Sequence, residues 1–202
     1  EFTIDAFEAS IERGKAVSKP GVETARNITW YEAGAACKAA GKRLCTEEEW
    51  LTACTGAIAK DRDGDGVYSD DVAGRRHPYG TWPQASYCAS ARKKDDPEPL
   101  ITGNHPRCAT PEGVYDLEGL TKEWVGVLAW KAGVKGGSYY SRDSARCGYF
   151  KDQVAPGEGE GATGFRCCSG PLPAEATADV YPGGKVGDKV MDWSLPVHGG
   201  GE

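Results

Sequence analysis

Methionine occurs once and histidine three times in 202 residues, and no C-x-x-C pair is present. Without that spacing the zinc-ribbon and thioredoxin patterns drop out. His77, His105 and His198 are far apart, with neither H-x-x-x-H spacing nor a neighbouring cysteine pair, so no histidine-built zinc or iron centre is expected. A G-x-S-x-G elbow and a P-loop are missing as well, and no apolar run approaches the roughly 18 residues that a membrane span needs. Positive charge is in deficit: 24 Lys and Arg against 30 Asp and Glu leave a formal charge of -6. Phosphate binding needs clustered cations, whereas Arg75-Arg76 and Arg92-Lys93-Lys94 are short and read as solvated loop charges. A nucleic-acid partner is not expected.

Cysteine, by contrast, occurs eight times. An even number of cysteines without metal spacing reads as disulfides, and disulfides imply an oxidising, extracytoplasmic compartment, whether periplasm, cell surface or medium. The chain opens on Glu1-Phe2-Thr3-Ile4-Asp5 with no basic and apolar leader, which fits a secretory signal already removed. Hydrophobic residues at 39% and charged residues at 27% describe a globular protein. One domain over residues 1–170 is expected, followed by a Pro/Gly-rich tail over 171–202 in which Tyr181, Met191 and Trp193 are isolated. That tail is expected to be extended or to dock on an assembly partner.

Phe2, Ile4 and Ala6 alternate with polar residues, the period of a strand. Thr29 with Glu32 and Thr46 with Glu49 are two capping boxes. Behind the first, Trp30, Ala33, Cys37 and Ala40 form one helical stripe that ends at Gly41; behind the second, Trp50, Ala53 and Cys54 form another. Each helix turns a cysteine inward. Strand-like pieces follow at Gly113–Leu117, Lys122–Val127, Val134–Tyr140 and Gly164–Cys168, separated by long loops. The fold class is α+β: two short helices, small antiparallel sheets and much irregular chain.

The stretch DRDGDGVYSDDV places oxygen ligands at Asp61, Asp63 and Asp65 of a calcium-type loop, with Gly66 at the turn. Val67 offers its carbonyl, Ser69 its hydroxyl or a water, and Asp70 or Asp71 must close the shell because Val72 stands where a bidentate Glu is usual. Crowded carboxylates repel unless a cation neutralises them, so calcium in a structural role is expected. Asn27-Ile28-Thr29 is formally a glycosylation acceptor, but Thr29 already serves as a cap.

Several blocks, taken in order, are similar to one family: Phe2-Thr3-Ile4-Asp5 with Glu8-Ala9-Ser10, Gly41-Lys42-Arg43-Leu44 with Thr46 to Trp50, Pro78-Tyr79-Gly80, Gly113-Val114-Tyr115-Asp116 with Glu123-Trp124-Val125, Lys135-Gly136-Gly137-Ser138, and Gly164-Phe165-Arg166. Over roughly residues 2 to 170 the chain resembles formylglycine-generating-enzyme-like (sulfatase-modifying factor) domains. The resemblance implies an irregular fold related to C-type lectin-like domains. It also implies, for catalytic members, two cysteines just after the Gly-Gly-Ser-aromatic turn that bind copper(I) and activate oxygen to oxidise a substrate cysteine. In GGSYYSRDSARC, residues 136–147, Tyr140 or Ser141 stands in the first place, no second cysteine precedes Arg146, and Cys147 matches a disulfide position. Soft thiolates are what hold copper(I), so copper is not expected.

The same resemblance implies Cys54 with Cys147 and Cys37 with Cys167. Cys88 with Cys108 and Cys45 with Cys168 are then the pairs we favour, although eight cysteines permit about 105 pairings. It further implies a second calcium site with side-chain oxygens of Asp116 and Glu123 and carbonyls of Gly119 and Thr121. Another family calcium position falls at Ala89, which supplies no side-chain oxygen. Trp124 reads as core, whereas Tyr140, Ser141, Arg142 and Asp143 are expected on an exposed recognition surface, because polar residues after a Gly-Gly turn form loops. The functional expectation is a non-catalytic binding or structural module whose surface, between this turn and the Gly-rich 156–163 loop, meets a protein, a peptide or a glycan. The alternatives are an oxygen-dependent oxidoreductase with thiols relocated to Cys45 and Cys168, and a subunit of a surface assembly docked through its tail.

Overall fold

A computed structural model describes residues 1–57, 74–151, 154–159 and 161–172. Both helices start where their caps lie. Helix α1, Trp30–Ala39, is entered through Thr29, whose hydroxyl accepts from Glu32 N–H while the Glu32 carboxylate accepts from Thr29 N–H. It closes as a Schellman motif, with Lys42 N–H to Cys37 C=O and Gly41 N–H to Lys38 C=O, both 2.9 Å. Helix α2, Glu47–Thr55, has the same box at Thr46 and Glu49 and a left-handed Gly56 beyond its end. Trp30, Ala33 and Cys37 of α1 are buried, as are Trp50, Leu51 and Cys54 of α2.

Among the described residues nine short strands form three sheets. Strands β1, Thr3–Ile4, and β4, Arg43–Leu44, flank β9, Cys167–Ser169, so the two ends of the domain are joined beside the helices. Strands β2, Ala9–Glu12, and β3, Lys15–Ser18, form a hairpin. The third sheet has the order β7, Phe150–Lys151; β6, Gly133–Lys135; β5, Lys122–Val125; β8, Thr163–Phe165. Here the structure departs from small antiparallel sheets, because β8 runs parallel to β5, with Glu123 opposite Gly164 and Trp124 opposite Phe165. Parallel neighbours need a long crossover, and residues 126–162 supply it. The segment Gly113–Leu117, read as a strand, contributes only the bridge between Ala109 and Tyr115.

Two main apolar clusters result. One gathers Trp30, Ala33 and Cys37 of α1 with Trp124, Val134 and Phe165; the other gathers Trp50, Leu51 and Cys54 of α2 with Leu117 and Val125. Disulfides run through both, Cys37 to Cys167 in the first and Cys45 to Cys168 and Cys54 to Cys147 in the second, while Cys88 to Cys108 lies outside them. The adjacent Cys167 and Cys168 on β9 therefore tie α1 and the entrance of α2 to one strand. No cysteine is free.

Candidate functional site

Strand β6 is followed by Gly136 and Gly137, both left-handed at φ 81° and 77°. A Cβ at Gly136 would lie 2.7 Å from Leu117 C=O, so both the backbone angle and the space require glycine there. The chain then turns on a serine pair. Ser141 Oγ accepts from Ser138 N–H at 2.8 Å and lies 3.2 Å from Ser138 Oγ, and Ser141 N–H donates to Ser138 C=O at 2.9 Å. Thus the hydroxyl of Ser141, one of the two residues that the resemblance sets in the first catalytic cysteine's place, closes the turn.

Beyond it Arg142–Ser144 make a single exposed 3₁₀ turn. Arg142 N–H donates to Ser90 C=O at 2.6 Å, and Arg92 N–H donates to Tyr139 C=O at 2.8 Å, which lays the 88–96 loop along this wall. Tyr139 is buried and donates its hydroxyl to Lys94 C=O at 2.7 Å. Tyr140 is half-buried; its hydroxyl donates to Gly161 C=O at 3.3 Å and its ring lies under the Lys94 ammonium at 5.9 Å. Tyr140, Ser141, Arg142 and Asp143 are thereby brought together at the surface, beside the described part of the 156–163 loop. Trp124 is fully buried and donates its indole N–H to Ile28 C=O at 2.7 Å, a core role.

Under the wall lies a buried acidic group. Glu123 is bound by Arg166 through two hydrogen bonds, 2.6 and 2.7 Å, and accepts from the Trp50 indole at 2.8 Å. Glu8, a residue the sequence reading left without a role, accepts from Thr121 N–H and from the hydroxyls of Thr121 and Thr24. Burial, then the charge of Glu123, pushes its carboxyl well above the usual range. Asp116, at φ 60°, accepts from Gly103 N–H at 2.6 Å, and burial pushes it up to about 6.

Of the second calcium set, then, Glu123 already serves Arg166 and Trp50, and a cation there would have to share it. Among the described residues no group of three or more His, Cys, Asp and Glu is arranged to hold a metal. The first set, Asp61, Asp63, Asp65, Val67, Ser69, Asp70 and Asp71, lies outside the described residues, as does the tail beyond Leu172. Ala89 is buried and its carbonyl accepts from Leu120 N–H at 2.8 Å. Cys45 and Cys168, the positions considered for relocated thiols, are bonded to each other, so the oxidoreductase alternative is not favoured.

Residues 6–170 match the Sulfatase-modifying factor enzyme 1-like domain. The hercynine oxygenase of Mycolicibacterium smegmatis is 34% identical over 107 residues, covering 52% of this chain and 22% of its own. The chain spans about a quarter of the length of the curated relatives it matches, 22% and 26%. Among solved structures, the Major Tropism Determinant M1 variant superposes with a TM-score of 0.56 at 14% identity, covering 83% of this chain and 49% of its own. CarF superposes at 0.53 with 19% identity, covering 85% and 87%. At these identities the structures share the fold, which is α+β and C-type lectin-like. Among the described residues no helix is long and apolar enough to cross a membrane.

Proposed function

Because the chain belongs to the sulfatase-modifying factor enzyme 1-like family, we propose that it is a non-catalytic member: an extracytoplasmic binding or structural module that keeps the fold and has given up the thiol chemistry. The observation that carries this reading is the state of the cysteines. All eight are closed in four disulfides, and the turn after Gly136-Gly137 carries serine hydroxyls instead of thiols. A hydroxyl is a hard, weakly acidic donor and a poor substitute for a copper(I)-binding thiolate. Four disulfides also suit an oxidising compartment.

The contact surface in this reading is Tyr140, Ser141, Arg142 and Asp143, with the Gly161 edge beside them, and the ligand is a protein, a peptide or a glycan. It is held on both sides, its backbone by Arg142 N–H on Ser90 C=O and its Tyr140 hydroxyl by Gly161 C=O, which lowers the ordering cost of binding. Calcium held by residues 61–71 would serve stability, neutralising carboxylates that otherwise repel. Docking of residues 171–202 on a larger assembly is a further part of the proposal, and deleting them tests it, since unchanged assembly would remove that part.

The reading is tested by supplying copper, oxygen and a cysteine-containing peptide to the purified chain and following the peptide by mass. An unchanged peptide is expected. Conversion of its cysteine to formylglycine would overturn the reading.

A further inference from the structure

Trp82 is 76% exposed, against 41% for Ile11 and 36% for Leu172, the other exposed large apolar side chains among the described residues. It lies in YGTWPQASY, residues 79–87, a loop whose ends are both fixed. At the first end His77 and Gly80 exchange backbone hydrogen bonds of 2.9 and 3.0 Å. The His77 ring, held 2.7 Å from a Glu118 carboxylate oxygen, stacks on Tyr79 at 5.3 Å. At the second end the Cys88–Cys108 disulfide sets their neighbours side by side, so that the Arg107 guanidinium lies 4.4 Å over the Tyr87 ring. Tyr79 and Tyr87 meet edge to face at 5.0 Å, and the Tyr79 hydroxyl accepts from Gln84 N–H at 3.2 Å.

Rigid aromatics among Gly, Ser and Thr, with arginine at the margin, are the residues that dominate protein recognition loops and binding hot spots. The charges point the same way. Arg76 and Arg107 are exposed, and neither has a carboxylate partner among the described residues. The acids around them are taken: Glu118 faces His77, and Glu112 pairs with Arg75 at 2.8 Å. One face of each tyrosine is also covered, by His77 or by Arg107, which leaves little flat surface for a sugar ring.

We propose that the Tyr79–Tyr87 loop, with Arg76 and Arg107, docks an acidic peptide segment of a protein partner, and that Trp82 is its anchor. This surface is separate from Tyr140–Asp143 and does not rest on the reading given for those residues.

The test measures binding of the full chain to labelled peptide pools of about twelve residues. In one pool about half the positions are Asp or Glu; in the other Asn and Gln replace them. The acidic pool should bind, and more weakly as salt rises. Trp82→Ala should lose about tenfold or more in affinity and Arg107→Ser several-fold, while Ile11→Ala, exposed on β2, binds like the parent. Equal binding of the two pools, no binding of either, or a Trp82→Ala variant that binds unchanged would overturn the proposal, as would capture of glycans in place of peptides on an array. Loss of peptide binding in Arg142→Ala with retention in Trp82→Ala would put the contact at Tyr140–Asp143 and overturn this surface alone.

Discussion

Arg166 grips Glu123 from 43 residues away, Nε to Oε2 at 2.6 Å and Nη2 to Oε1 at 2.7 Å, and both side chains are buried. The same guanidinium donates to Asp5 C=O at 3.0 Å and Tyr115 C=O at 2.8 Å, so one side chain joins the chain just after β1, the Tyr115 bridge and β5. Removing one partner of such a pair leaves an uncompensated buried charge. Arg166→Met is predicted to destabilise the fold by about 3–5 kcal/mol in urea unfolding. Adding Glu123→Gln should recover part of that loss, because the stranded charge is gone. A loss below about 1 kcal/mol for the single variant would mean that the pair is solvated.

Asp116 makes the opposite prediction about charge. Its carboxyl is pushed up to about 6 by burial, against a hydrogen bond from Gly103 N–H and the field of Arg166. Between the ordinary value near 4 and the folded value, the folded state binds more protons than the unfolded one, so stability from this group is full below about pH 4 and falls as pH rises through about 6. Asp116→Asn keeps an oxygen for Gly103 N–H and tolerates the left-handed backbone. In the presence of a chelator it should stabilise the chain at pH 7 by up to about 3 kcal/mol, two units at about 1.4 kcal/mol each. The advantage should shrink as pH is lowered toward 4, which urea titrations at several pH values would resolve. An advantage that stays constant with pH would contradict a raised carboxyl.

How much of this was legible in the sequence depends on distance along the chain. The capping boxes at Thr29 and Thr46 are local, three residues across, and both helices start at them. The β2–β3 hairpin was missed because its turn is Arg13-Gly14, both at positive φ, where Asn or Asp is the usual first residue. The parallel register of β5 and β8 carries no local mark, since both strands are short and buried. Glu8 looks like an ordinary polar residue and Glu123 is expected as a calcium ligand, and neither shows its partner until the fold places Thr121 and Arg166 against them. Of the candidate site, the loop character of Arg142 and Asp143 follows from the Gly-Gly turn before them. The Ser138–Ser141 hydroxyl contact and the exposure of Trp82 depend on neighbours that only folding supplies.

Calcium is the next prediction. If Asp61, Asp63 and Asp65 hold an ion, calcium at about a hundredfold over its dissociation constant should stabilise the chain by about 2.7 kcal/mol. Thermal unfolding with calcium and with chelator would measure this, and Asp63→Asn with Asp65→Asn should abolish the difference. A melting temperature indifferent to calcium, with the parent chain and with the variant alike, would rule out a structural ion.

The account rests most directly on the state of the eight cysteines, and intact mass after alkylation in denaturant without reductant measures it. No alkyl adduct is predicted, before or after denaturation, because every sulfur lies in a disulfide. Two adducts mapped to one pair, Cys45 and Cys168 above all, would contradict the account and return thiol-copper chemistry to this fold.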